Sequence, residues 1–121
     1  MIVRQLYKNI WKKLSGYKPM IFVAGPRQVG KTTLCNQIAA DFTQSLYFNW
    51  DIIENKKVII TDPYFYEKID RKDKSFPLII FDEIHKYPEW KNYLKNIYDR
   101  DKDNFLFLIS GSGRLDLYKK G

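Results

Sequence analysis

The stretch GPRQVGKTT, Gly25 to Thr33, follows the apolar run MIFVA at residues 20–24 and precedes a segment with apolar residues at helical spacing. Gly25, Gly30, Lys31 and Thr32 satisfy the pattern G-x-x-x-x-G-K-[ST] without a mismatch. A loop that wraps a β-phosphate must turn successive backbone N–H groups inward. Glycine permits the close approach and the dihedrals that this needs. Lys31 then reaches the β- and γ-phosphates as a mobile point charge. Thr32 offers a hydroxyl to Mg²⁺, and the following helix aims the positive end of its dipole at the phosphates. A strand before and a helix after separate this motif from a chance glycine turn. Gly25, Pro26, Arg27, Gln28, Val29, Gly30, Lys31, Thr32 and Thr33 are therefore the expected nucleotide-binding segment, and ATP with Mg²⁺ the expected ligands.

Outward from the loop, the elements alternate. MIFVAG, bounded by Pro19 and Gly25, suits a strand buried on both faces of a parallel sheet. Leu34, Cys35, Ile38 and Ala39 mark one face of a helix. SLYFNWD reads as a second strand, and IIENKKVIITDPYFYEKID as helical in part, with Pro63 opening a new element. RKDKS is a polar loop and FPLIIF a third strand. PEWKNYLKNIYDRDKD reads as a helix with Pro88 in its first turn and Trp90, Leu94, Ile97 and Tyr98 on one face. NFLFLISGSG is a fourth strand ending in small residues. At the amino end, Ile2, Val3, Leu6, Ile10 and Leu14 recur at helical spacing between basic residues, which predicts an amphipathic helix ending near Ser15–Gly16. Such a helix can lie on a membrane, but a strand follows so soon that packing on its own domain is expected. Alternating strands and helices imply an α/β, three-layer domain with a mostly parallel sheet of about four strands.

Composition agrees. At 121 residues, with 45% hydrophobic and 17% aromatic residues, the chain can build one core but not two. The net charge of +7 arises from basic residues scattered in ones and twos, so it describes a lysine-rich surface and leaves nucleic acid open as a partner. The single cysteine, Cys35, excludes an internal disulfide and a cysteine-built zinc site and fits a reducing cytoplasm. No apolar stretch approaches the length of a membrane span.

Two strand ends carry further chemistry. LIIFDE places Asp82 and Glu83 at the carboxyl end of a strand, where parallel sheets bind ligands. Asp82 is the expected holder of the Mg²⁺ hydration shell. Glu83, one residue on, is placed to activate a water for attack on the γ-phosphate. A group that activates water favours a hydrolase over a small-molecule kinase. His85 completes DEIH, a pattern shared with one helicase class. The interval from Lys31 is short for that class and no other helicase motif intervenes, so His85 is expected to face solvent or pack partly at the next helix. In LFLISGSGR, Ser110 is the first candidate to sense the phosphate or place the water and Ser112 the second, with a simple turn of small residues as the alternative. Asp51 and Arg114 carry weaker signals.

Together, GPRQVGKTT, YFNWD, PLIIFDEIHK and ISGSGRLDLY resemble the AAA-like ATPases of archaea and bacteria, whose loop reads G-x-R-Q-x-G-K-T. The resemblance runs from about Ile21 to Tyr118. It implies an additional-strand P-loop ATPase core with Lys31 and Thr32 at the nucleotide, Asp82 at magnesium and Glu83 as the catalytic acid. Arg27 and Gln28 belong to its loop signature. Related full-length chains continue into a fifth strand, a helical lid and further domains. The expectation is thus a single, incomplete domain, residues 1–17 a helix and 18–121 the nucleotide-binding core, truncated before the fifth strand. Its first strand should form a sheet edge that invites self-association, and its turnover should be low without lid groups. Besides an ATPase, a non-catalytic nucleotide-dependent switch and a nucleic-acid-dependent motor remain open.

Overall fold

The computed structural model describes residues 19–24 and 31–111. In chain order these form β1 (Met20–Ala24), α1 (Lys31–Ala39), β2 (Ser45–Asn49), α2 (Ile53–Thr61), a 3₁₀ turn (Phe65–Lys68), β3 (Leu78–Asp82), a second 3₁₀ turn (Ile84–Lys86), α3 (Trp90–Asp101) and β4 (Leu106–Gly111). The four strands make one sheet in the order β1-β4-β3-β2, every pair parallel. The α/β sheet expected from the alternation is present, and among the described residues β1 lies at its edge. The amphipathic helix expected before Pro19 lies outside the described residues, as do Ser112 and Arg114.

Strand alternation sorts the core into two layers. Ile21, Val23, Leu78, Ile80 and Leu108 face one side, where Cys35 and Ile38 of α1 cover them. The buried face of α1 is thus the one its spacing predicts. Ile79, Phe81, Phe107 and Ile109 face the other side, under α3 and both 3₁₀ turns. There the rings of Tyr66, Phe81, Phe105 and Phe107 meet in stacked and edge-to-face contacts at centroid distances of 4.9–6.5 Å. Each buried ring of this kind is worth about 1.5–3 kcal/mol over exposure.

In α3 the buried residues are Trp90, Tyr93, Leu94, Ile97 and Asp101, one helical stripe. Tyr98 is half-buried at its margin. Pro88 is not in the first turn: the N-cap is Glu89 and the helix opens at Trp90. Instead, the chain leaving β3 winds through Ile84–Lys86, and Trp90 N–H donates to the Tyr87 carbonyl (3.0 Å), so Pro88 lies in the link between two helical turns. Asp101 is buried because the Tyr66 hydroxyl donates to its Oδ2 at 2.5 Å and the Arg100 guanidinium at 2.9 Å. The polar loop 70–76 is held in the same manner. The buried Gln44 side chain accepts from Lys72 N–H (2.6 Å) and donates to the Ser75 carbonyl (2.8 Å).

Candidate nucleotide site

Strand register assembles the site. Asn49 pairs with Asp82, Asp82 with Ser110, and Ser110 with Val23, one row across the carboxyl end of the sheet. Alternation turns Asp82 and Ser110 toward the α1 side, the side of Ile80 and Leu108. β1 ends at Ala24 beside Gly111 of β4, and α1 opens at Lys31. The chain therefore leaves the sheet next to the row and re-enters as a helix on the same face. Gly25, Pro26, Arg27, Gln28, Val29 and Gly30 lie outside the described residues. Lys31, Thr32 and Thr33 form the first turn of α1. The backbone that sequence analysis assigned to phosphate binding thus joins the sheet where a parallel sheet receives ligands.

The end of β3 is held from both sides. Trp50 N–H donates to the Asp82 carbonyl at 2.9 Å, and Glu83 N–H donates to the Ser110 carbonyl at 2.7 Å. The Asp82 carboxylate is buried and accepts a 2.5 Å hydrogen bond from the Tyr47 hydroxyl on Oδ2. Ser110 is 0% exposed, and its Oγ has no hydrogen-bond partner among the described residues. A buried hydroxyl without a partner costs about 1–3 kcal/mol, which a polar ligand at this edge would offset.

Glu83 is the one described non-glycine residue with positive φ, at φ 58° and ψ 24°. Left-handed backbone costs a residue with a Cβ about 1–2 kcal/mol, and such strain gathers at functional sites. The turn it makes starts the Ile84–Lys86 helix directly after the strand. Glu83 Oε2 lies 3.5 Å from His85 Nε2 and 3.8 Å from Lys86 Nζ. Lys86 Nζ in turn contacts both oxygens of Asp51 at 2.9 Å. Asp51 therefore meets the site through Lys86. His85, 18% exposed at its side chain, is partly packed as expected.

The residues fit a hydrated magnesium ion bound with a nucleotide. Mg²⁺ keeps several waters and is held by one or two protein oxygens plus phosphate, without an all-protein cage. The buried Asp82 carboxylate at the strand end, with the Thr32 hydroxyl expected from the sequence, is such a donor set.

Sequence reasoning missed Tyr47 and Lys86. Lys86 is three residues from Glu83, a spacing that flags a neighbour once the helical turn is known. Tyr47 meets Asp82 only through the register of two strands distant in sequence.

Comparison with known proteins agrees with the fold. A family model described as an AAA domain matches residues 17–121. The chain belongs to this AAA-domain family. It is an ATPase-type nucleotide-binding domain. No curated protein matches the chain. Among solved structures, that of C. elegans PCH-2 is similar in fold, with a TM-score of 0.58 and 16% sequence identity. The match covers 98% of this AAA domain and 39% of the PCH-2 chain. No helix among the described residues of the domain is long and apolar enough to cross a membrane.

Proposed function

We propose that this AAA domain binds Mg²⁺ with ATP and hydrolyses the γ-phosphate. The observation that carries the proposal is the buried row of Asp82 and Ser110 at the carboxyl end of the sheet, beside the strand that leads into GPRQVGKTT. In this reading the backbone N–H groups of the loop between Gly25 and Gly30, Pro26 excepted, would receive the phosphates, and Lys31 would offset their charge. Thr32 and Asp82 hold the hydrated ion, which when bound neutralises charge developing on the phosphate oxygens. Ser110 donates its hydroxyl toward the γ-phosphate or the attacking water. Glu83 accepts the proton of that water, and Lys86 and His85 hold its carboxylate close to the strand end.

Nucleotide titration tests the loop. Lys31→Ala should weaken ATP binding at least tenfold, about 1.4 kcal/mol. Equal affinity in the folded variant would remove the loop assignment. Glu83→Gln should keep ATP binding and lose hydrolysis, because the amide retains the shape and lacks the base. Turnover by this variant at the parent rate would show that Glu83 is not the base.

A further inference from the structure

We infer that Tyr47 is a positioning residue for the cation site: its hydroxyl fixes the orientation of the Asp82 carboxylate toward a hydrated Mg²⁺. The inference rests on the nucleotide proposal above and adds a residue to its site. Tyr47 lies on β2, opposite Ile80 and one step before the Asn49–Asp82 pair. Its ring packs against the core layer under α1, so only the far end of the side chain reaches along the strand. The hydroxyl donates a hydrogen bond to Asp82 Oδ2.

Asn49, directly opposite Asp82, turns its side-chain oxygen to Asp51 N–H at 2.8 Å. Tyr47 is the residue of β2 whose hydroxyl donates to the Asp82 carboxylate. The chemistry of the donor matters. A lysine or arginine here would neutralise Asp82 and compete with a cation. A phenol hydroxyl orients the carboxylate and leaves its charge in place. Mg²⁺ demands near-ideal octahedral geometry, and loss of a hydrogen bond that orients a metal-binding carboxylate lowers metal affinity about 10–100-fold.

The test uses binding of a fluorescent ADP analogue, mant-ADP, with Mg²⁺ and with EDTA, so no turnover is needed. Asp82→Asn should lose the gain in affinity that Mg²⁺ brings. Tyr47→Phe should cut that gain about tenfold and leave the EDTA affinity at the parent value. Tyr47→Leu, which fills the same face without a donor, should do likewise and covers the case in which Tyr47→Phe does not fold. In the Asp82→Asn background, Tyr47→Phe should have no further effect. A full Mg²⁺ gain in Tyr47→Phe, an equal loss in EDTA, or an added loss in the double variant would each overturn the role of Tyr47 and leave the nucleotide site standing. Parent-like binding by Lys31→Ala would remove the nucleotide site, and the role of Tyr47 with it.

Discussion

Glu83 offers a test in which two variants that both lose the carboxylate differ in stability. Its backbone is left-handed, φ 58° and ψ 24°, where a Cβ crowds the following carbonyl and costs about 1–2 kcal/mol. Glu83→Ala and Glu83→Gly both remove the carboxylate and its contacts with His85 and Lys86, so those losses cancel between them. Only the Cβ differs. Glycine relieves the crowding but gives the unfolded chain extra freedom, which costs about 0.4–1 kcal/mol. The balance favours glycine by about 1 kcal/mol. At ordinary helix or strand positions glycine is the less stable of the two by about 0.5–1 kcal/mol, so the expected sign is reversed. Urea unfolding reads it directly. With a slope of about 1–3 kcal/mol per molar urea, the midpoint of Glu83→Gly should lie about 0.5 M above that of Glu83→Ala. Both variants should lack hydrolysis. A midpoint for Glu83→Ala at or above that of Glu83→Gly would refute the claim that the strand end stores strain at Glu83.

Two further outcomes follow from polar groups away from the site. Burial first, then the hydrogen bond to and charge of Asp101, push the Tyr66 phenol well above its usual 10.0. A raised folded-state value adds stability that is present below pH 10 and lost as pH rises beyond it. Tyr66→Phe should therefore flatten the fall in urea midpoint above pH 10, while Tyr93, raised mainly by burial, keeps part of it. An unchanged slope would contradict this. Gln44→Ala removes the clasp on Lys72 and Ser75 and should cost about 1–2 kcal/mol. Tryptic cleavage at Arg71, Lys72 or Lys74 should speed up, and parent-like cleavage rates would show that Gln44 does not hold the loop.

Much of this domain is legible in one dimension because its signals are local. The pattern of Gly25, Gly30, Lys31 and Thr32 is read within eight consecutive residues. The parallel sheet is announced by runs such as LIIF, apolar at every position because both faces are covered. The burial of Cys35 and Ile38 follows from helical spacing alone, as does that of Leu94 and Ile97. Pro88 was misread because a proline can open a helix or link two turns, and the Ile84–Lys86 turn before it decides which. Tertiary structure alone decided the rest. No local pattern says that β4 lies between β1 and β3; the resemblance to additional-strand ATPases implies that order, the sheet has it, and it makes Ser110 the neighbour of Asp82. No spacing joins Tyr47 to Asp82 or Lys86 to Asp51. Those pairs depend on a parallel register and on the turn at Glu83. Hydrophobic burial on both faces of the sheet selects that register, since a slip of one residue would send Asp82 into the aromatic layer and Phe81 to the ligand edge.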